Sequence, residues 1–404
     1  MLRVLISAGE ISGDAYGAAL LRELRRICKK QPIEAYGIGG DLLRAEGMEL
    51  YAHASETGVM GFWEVAKRAR FFTRLLKKIT SLLDTRRPDL LLTIDYTGFN
   101  LRLAARAKKR GIKTVHFVCP QVWAWNKKRI PKIAATLDKL ICLFPFEPPL
   151  FDGTGLDAVF RGHPLPEQIA ESLKEPAPEN LWEGRATASR LADEGRACSP
   201  SAPTAVSEKP PYQIALFPGS RTSEISRILP IELEAAVLLE KRVGPCAFTI
   251  PAPTRKAFEI INAMLPTIPH KPPRLLVIEG YSRHILAQAD AAAVKSGTST
   301  LEACILRCPE VIVYKISAFS AFIIKRLVTK IKFVGLPNIL AGKQICRELI
   351  QNDFTALALA DELERLITDT LYRDSMLHSM NEINSCLCGD SATAHAADEI
   401  AKVL

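Results

Sequence analysis

The sequence lacks the patterns by which metal and redox proteins are usually recognised. Its 10 cysteines are scattered without a C-x-x-C pair, and most lie in apolar stretches where cysteine packs as a small hydrophobe. Its 7 histidines show no ligand spacing, and no Asp-x-Asp pair is present to bridge a metal ion to a diphosphate. We therefore expect neither a metal ion nor a cofactor.

Long apolar runs are also missing. No run reaches the roughly 18 residues that a membrane-spanning helix needs. The first residues lead directly into a strand-like segment without a signal-peptide pattern, which predicts a cytoplasmic protein. The formal net charge of +9 favours an acidic partner such as nucleic acid, an anionic membrane or a phosphorylated substrate. Because no nucleic-acid recognition module is found, we do not expect nucleic acid.

Strand and helix patterns alternate along most of the chain, which predicts parallel α/β sheets. Residues 1–165 form a first doubly wound domain by this criterion. Residues 166–211 are rich in Pro, Ser and Ala and are expected to be a mobile linker with at most one short helix. Alternation resumes over residues 212–404, with Glu310 to Tyr314 as the last clear strand and a helical tail from Gln344. Ligands are expected at the carboxyl ends of the strands and between the domains.

Two segments of the second domain are typical of phosphate sites. Ile214 to Phe217 is an apolar, strand-like run, and the loop after it supplies Gly219, three hydroxyl residues and the guanidinium of Arg221. A second strand ends near Val294, and a turn with further hydroxyls follows it. An ordinary capped turn explains either segment alone, but two in one domain favour a nucleoside diphosphate. The candidate donor-site residues are Ser220, Arg221, Glu224, Thr298, Ser299 and Glu302.

The first domain offers polar residues after its strands. Asp95 follows a buried strand, where partial desolvation would raise the pKa of a carboxyl toward the range of a general base; a helix N-cap is the simpler alternative. The loop after the first strand departs from the dinucleotide fingerprint but suits a hydroxyl-rich ligand; the alternative is a capped helix start with Asp14 near the positive end of the helix dipole. Trp123 lies in a loop that could pack on a sugar or in the core. The acceptor-site candidates are Glu10, Ser12, Asp14, Asn100, Trp123 and His163.

Residues 60–79 alternate large apolar and basic side chains. Such a helix can lie on an anionic membrane surface, although a core helix with a solvated basic face has the same pattern. The candidate membrane or acyl-chain contacts are Met60, Phe62, Trp63, Lys67, Arg68, Phe71, Phe72 and Arg74.

Taken in order, these segments resemble the lipid-A-disaccharide synthase family. The matching stretches cover nearly the whole chain: residues 9–14, 59–65, 94–100, 122–125, 162–164, 216–224, 296–302 and 336–342. The sequence departs from the family mainly in the longer segment between Pro166 and Pro211, and in Gln121, which stands where a small residue is expected.

The resemblance implies a GT-B glycosyltransferase, with two doubly wound Rossmann-like domains facing across a cleft, peripheral on the cytoplasmic face of the inner membrane. It would join UDP-2,3-diacylglucosamine to 2,3-diacylglucosamine 1-phosphate with inversion, giving the β-1,6-linked disaccharide and UDP. Asp95 matches the position of the base for the acceptor hydroxyl, and Arg221, Glu302 and Asn338 match positions around UDP. A homodimer is compatible with the sequence.

Two alternatives remain open at this stage. Another UDP-sugar enzyme of the same fold, such as a lipid-linked N-acetylglucosaminyltransferase or a UDP-sugar 2-epimerase, would share the phosphate loops. A non-catalytic membrane-surface module that binds nucleotide sugar would share the basic helix. Asp95 beside the phosphate loops argues against the second alternative.

Overall fold

The computed structural model describes residues 1–57, 69–125, 127–182, 211–316, 332–387 and 391–404. The chain forms two compact units. Unit 1 comprises Met1–Glu167 together with Cys386–Leu404, and unit 2 comprises Gln168–Ser385. The expected division at residues 165 and 212 therefore needs two corrections, one at the C-terminal tail and one in the linker.

Each unit is built on a parallel sheet. Over the described residues, the sheet of unit 1 has the strand order β3-β2-β1-β4-β5-β6-β7 and that of unit 2 the order β10-β9-β8-β11-β12-β13. The strands are β1 Leu2–Ala8, β2 Ile33–Gly39, β3 Glu49–His53, β4 Leu90–Ile94, β5 Lys113–Phe117, β6 Lys139–Cys142, β7 Asp157–Phe160, β8 Tyr212–Phe217, β9 Cys246–Ala252, β10 Leu275–Glu279, β11 Ala291–Lys295, β12 Glu310–Tyr314 and β13 Glu348–Ile350.

Helices connect these strands. They are α1 Ile11–Ile27, α2 Asp41–Ala45, α3 Ala54–Thr57, α4 Ala69–Thr85, α5 Thr97–Lys108, α6 Val122–Trp125, α7 Ile130–Thr136, α8 Leu165–Ser172, α9 Thr222–Val243, α10 Arg255–Met264, α11 Ser282–Gln288, α12 Thr298–Ile305, α13 Leu336–Ala341, α14 Ala356–Thr368, α15 Thr370–Leu387 and α16 Ala392–Ala401. Three short 3₁₀ turns lie at Lys127–Arg129, Pro148–Phe151 and Leu265–Thr267.

The central strands follow directly from the apolar runs in the sequence. All five residues of β4 are buried, as in a parallel strand covered on both faces. The edge strands β3 and β13 were not predicted, since β3 is half-exposed and β13 has only three residues. The tail is therefore not helical from Gln344, and its helices begin with α14.

The last helix returns to unit 1, contrary to the predicted domain assignment. Helix α16 packs against α1 and β6. Its Glu399 carboxylate accepts hydrogen bonds from Lys139 Nζ at 2.6 Å and from Arg161 Nη2 at 2.9 Å. The side chains of Lys139 and Glu399 are only 6% and 5% exposed, so this pair joins the tail to the core of unit 1.

The expected mobile linker is partly ordered. One short helix, α8, is present as predicted. Beyond it, Leu181 and Trp182 are buried in the apolar core of unit 2. Thr249 Oγ1 donates to the Leu181 carbonyl at 2.7 Å, and the Trp182 indole donates to Gln288 Oε1 at 3.2 Å. Residues 183–210 of the predicted linker lie outside the described residues.

Candidate active site

The strand order reverses at one point in each sheet. In unit 1 the neighbours at that point are β1 and β4, and in unit 2 they are β8 and β11. Connections leave such neighbours toward opposite faces, which opens a crevice at their carboxyl ends where α/β proteins bind ligands. The predicted polar loops follow these four strands.

A cavity of about 360 Å³ lies beside the carboxyl ends of β8 and β11. It brings together five residues predicted for the donor site, Ser220, Arg221, Glu224, Thr298 and Ser299. Further lining residues are Phe217, Gly219, Pro251, Pro253, Ser282, Lys295 and Gly297. Hydroxyls, two cations and a carboxylate therefore share the lining with proline and aromatic surfaces.

Glu224 organises the charges of this cavity. Its carboxylate accepts the Ser220 backbone N–H at 3.2 Å and lies 3.1 Å from Arg221 Nη1 and 3.0 Å from Lys295 Nζ. Burial alone would raise the pKa of the Glu224 carboxyl, but Lys295, Ser220 and Arg221 hold it below its usual value. One carboxylate thus aligns two cations, which leaves the group with a net charge of about +1.

Gly219 is required where the loop passes Glu224. Its φ of +108° lies in the left-handed region, and a Cβ atom would lie 2.6 Å from Glu224 Oε2. Helix α9 begins at Thr222, directly after the loop. The first N–H groups of α9 and of α12 are typical donors to an anion, and the cavity gathers residues from both helix starts.

Lys295 was missed as a site residue. It is the last residue of β11, its side chain is 19% exposed, and its ammonium lies 5.8 Å from the centre of the Tyr314 ring. Its position one residue before the hydroxyl-rich turn was the available signal. Because a strand ends there, the side chain could be directed into the crevice.

Glu302 and Asn338 do not line this cavity. Glu302 Oε1 accepts from Arg283 Nε at 2.9 Å. Asn338 is fully buried, its Oδ1 accepts the backbone N–H groups of Ile345 and Cys346, and its Nδ2 donates to Glu348 Oε1 at 2.8 Å. The Asn338 amide thus shapes the loop around α13, and its contact with UDP remains a prediction.

In unit 1, Asp95 follows β4 in a strained backbone. Asp95 and Tyr96 both adopt left-handed conformations, with φ of +46° and +44°. Two consecutive non-glycine residues in this region are costly and are found mainly where function requires them. Burial raises the pKa of the Asp95 carboxyl, the direction expected of a general base. Its assignment as the catalytic base remains a prediction.

Asn100 holds the loops of β1 and β4 together. The residue is fully buried, and its Nδ2 donates to the carbonyls of Ser7, Ile94 and Asp95 at 3.1, 3.1 and 2.8 Å. Its Oδ1 accepts from Ser7 Oγ at 2.6 Å. Asn100 thus positions the backbone of Asp95, and its contact with the acceptor remains a prediction.

The ring of Tyr96 brings the loop of Glu10 and Ser12 next to the end of β4. A Cβ atom on Gly9 would lie 2.5 Å from this ring, so only glycine allows the approach. Thr57 Oγ1 donates to the Gly9 carbonyl at 2.7 Å. Glu10 is half-buried and Ser12 is exposed, and both remain predicted acceptor contacts.

Asp14 and His163 form hydrogen bonds that stabilise the fold, and their contact with the acceptor remains a prediction. The Asp14 carboxylate accepts the N–H groups of Gly40, Leu42 and Leu43 at 2.6, 3.0 and 3.1 Å, which caps α2. His163 is 4% exposed, and its Nδ1 accepts the Leu165 N–H at 3.0 Å. Burial lowers the pKa of His163 to about 4, so it is neutral at physiological pH.

Trp123 lies beside a buried group that could hold a metal ion. Its indole N–H donates to Glu147 Oε1 at 3.2 Å. Cys119, Cys142 and Glu147 each place one ligand atom within 4.8 Å of the others, a cluster that spacing in the sequence did not reveal. Burial raises the pKa of Glu147 to about 7, and its other oxygen accepts backbone N–H groups. The carboxylate is therefore already well satisfied by hydrogen bonds.

The family model of lipid-A-disaccharide synthetase matches residues 4–183 and 202–396 of this chain. A lipid-A-disaccharide synthase of Anaeromyxobacter dehalogenans is 38% identical over 405 residues, which cover 100% of this chain and 97% of that relative. The chain belongs to the lipid-A-disaccharide synthase family. A synthase of Chromobacterium violaceum is 35% identical, with 99% of this chain and 98% of that relative covered. The protein is accordingly a glycosyltransferase of lipid A disaccharide synthesis.

Solved structures support the two-domain GT-B fold. A UDP-N-acetylglucosamine 2-epimerase of Neisseria meningitidis bound to UDP-GlcNAc is similar with a TM-score of 0.60 and 12% identity, covering 99% of this chain and 100% of that one. MurG of Acinetobacter baumannii is similar with a TM-score of 0.54 and 12% identity, covering 100% of both chains. At this identity the similarity concerns the fold alone.

The structure describes the helix predicted to contact the membrane from Ala69 onward, as α4. Met60, Phe62, Trp63, Lys67 and Arg68 lie outside the described residues. Phe71 and Phe72 are half-buried against the core of unit 1, and Arg74 is exposed. No described helix combines the length and the apolar character needed to cross a membrane.

Proposed function

We propose that this synthase transfers the sugar of UDP-2,3-diacylglucosamine to the 6-hydroxyl of 2,3-diacylglucosamine 1-phosphate. The observation that carries the proposal is the cavity in unit 2, where Glu224 aligns Arg221 and Lys295 beside two helix starts. A diphosphate complements such a group, because its negative oxygens can accept from both cations and from free N–H groups.

Asp95 would act as the general base. Its carboxylate takes the proton of the acceptor hydroxyl, the hydroxyl oxygen bonds to the anomeric carbon, and the bond from that carbon to the phosphate oxygen breaks. The configuration inverts and UDP leaves with the bonding electrons. Arg221 and Lys295 would stabilise the negative charge that develops on the departing diphosphate. Since these cations offset that negative charge, we propose that no divalent ion is required. Measurement of the activity in EDTA tests this.

The enzyme would act as a peripheral protein on the cytoplasmic face of the inner membrane. Both substrates carry two acyl chains in this proposal and therefore reside in a bilayer. The exposed basic face of α4, with Arg70, Arg74 and Lys77, is suited to anionic headgroups.

The decisive assay combines purified enzyme with UDP-diacylglucosamine and the monosaccharide 1-phosphate in mixed micelles. Formation of the disaccharide phosphate with one equivalent of UDP supports the proposal. Release of free monosaccharide, or of a UDP-sugar epimer, would contradict it. Calorimetry with UDP alone tests the donor pocket separately, and failure to bind UDP removes the nucleotide assignment.

A further inference from the structure

A second cavity of unit 1, of about 450 Å³, lies between α5 and α7 and takes no part in the proposed reaction. We call it the basic groove. Among the residues that the structure describes, five cations line it and no carboxylate does. The five are Arg102, Arg106, Lys109, Arg129 and Lys132.

These cations differ from two basic residues that flank Lys109 in the chain. Lys108 pairs with Asp138, and Arg110 pairs with Asp84. By contrast, no cation of the basic groove forms an ion pair with any described residue; Arg106 donates only to Thr80 Oγ1, at 3.3 Å. A concentration of like charge in a concave surface is unfavourable unless an anion neutralises it.

The base of the groove is apolar. Leu101 and Ala105 are half-buried, and Ile133 is buried. An occupant that joins a phosphate to hydrocarbon, such as the headgroup region of a phospholipid, matches both features. A single-stranded nucleic acid fits less well, because none of the described residues that line the groove is aromatic and could stack on a base.

The groove also adjoins other basic surface. Helix α4 packs against α5. Its exposed face presents Arg70, Arg74 and Lys77. Thr97, two residues after Asp95, is the first residue of the chain that lines the groove. A lipid held there would therefore lie near Asp95, the proposed general base.

We propose that the basic groove binds the phosphate headgroup of an anionic phospholipid. This site is additional to those for the two reacting sugars and rests on the membrane association proposed above. It would orient unit 1 on the bilayer, with the carboxyl end of β4 close to lipid-embedded acceptor.

The test measures binding of full-length enzyme to vesicles of phosphatidylcholine, with and without phosphatidylglycerol. The groove variant is Arg129→Gln with Lys132→Gln. The control, Lys29→Gln with Lys30→Gln, removes the same charge from exposed lysines before β2, a strand that β1 separates from β4 and β5. We expect the groove variant to bind anionic vesicles about 30-fold more weakly, with the control within about threefold of wild type. Circular dichroism and melting temperature verify that both variants fold.

The remaining outcomes overturn the proposal in distinguishable ways. Equal losses in the two variants would indicate diffuse charge rather than a site. Weaker binding of RNA or of soluble glycerol phosphate by the groove variant, with vesicle binding unchanged, would assign the groove to those ligands. If the wild-type enzyme binds vesicles equally well with and without phosphatidylglycerol, the proposed headgroup site alone is refuted. Absence of all vesicle binding would also refute the membrane association proposed for the enzyme.

Discussion

The proposed contribution of Lys295 to diphosphate binding allows a sharp test of the donor pocket. Lys295→Met keeps most of the side-chain length and removes the ammonium that lies 3.0 Å from Glu224. Only Arg221 would then balance the carboxylate, so the net charge of the group falls from about +1 to 0. We expect weaker binding of any ligand in proportion to the phosphate charge that it brings.

A hydrogen bond to a charged group contributes about 1.5 to 3 kcal/mol, which corresponds to about 10- to 150-fold in the dissociation constant. The expected loss for Lys295→Met is therefore at least tenfold for UDP, smaller for UMP and absent for uridine. Lys295→Arg should retain most of the affinity, because the cation is kept. The assay is titration calorimetry of the three ligands with each variant.

Lys256→Met is the matched control. Lys256 is exposed on α10 and does not line the cavity, so its loss alters the net charge of the protein without altering the pocket. A loss of uridine binding equal to that of UDP would mean that Lys295 acts only by supporting the fold. UDP affinity within twofold of wild type would refute the assignment of Lys295 to the diphosphate.

Three further predictions concern catalysis, the phosphate loop and the tail. Asp95→Asn should reduce turnover by about 10²- to 10⁴-fold with unchanged UDP affinity. Because burial raises the pKa of Asp95, the turnover of the wild-type enzyme should begin to fall, on acidification, at a higher pH than it would with an ordinary aspartate. Near-normal turnover of this variant would exclude Asp95 as the base. Gly219→Ala should cost about 1 to 2 kcal/mol of stability and weaken UDP binding, because φ is +108° and Glu224 must move; unchanged calorimetry would contradict this. Glu399→Gln should destabilise unit 1 by about 2 kcal/mol, measured by urea unfolding, because the charged hydrogen bonds from Lys139 and Arg161 are weakened, while Lys139 keeps its ion pair with Asp157 at 2.6 Å.

The Glu399 prediction has a pH signature. Burial alone would raise the pKa of this carboxyl, but hydrogen bonds from Lys139, Lys402 and Arg161 hold it at about 2. The folded pKa lies below the unfolded value of about 4.3, so the stabilisation is full above that pH and is lost as the pH falls toward 2. The variant should lose less stability than wild type over this interval. Parallel loss in the two proteins would show that another group controls acid unfolding.

Local signals were sufficient for much of the donor pocket. Strands β8 and β11 are apolar runs that end in hydroxyl-rich turns, and parallel strands place those turns at one edge of the sheet. The sequence therefore predicted the meeting of Arg221 with Thr298, although the two lie far apart in the chain. Lys295 was missed because a lysine at a strand end gives no local sign of its direction.

The sequence determined, by itself, the parallel α/β class, the family and the loops that carry polar chemistry, since these depend on periodicity and short-range residue patterns. The tertiary structure decided which polar residues are available to a ligand. Asp14 and Asn100 are polar residues typical of binding loops, yet each forms hydrogen bonds with backbone groups distant in the chain, at Gly40 and Ser7, and Asn338 does so with the loop that follows its helix. The same holds for α16, whose return to unit 1 depends on packing with α1 and on the buried pair of Glu399 with Lys139. Long-range packing and hydrogen-bond satisfaction have no local pattern, so only the folded chain reveals them.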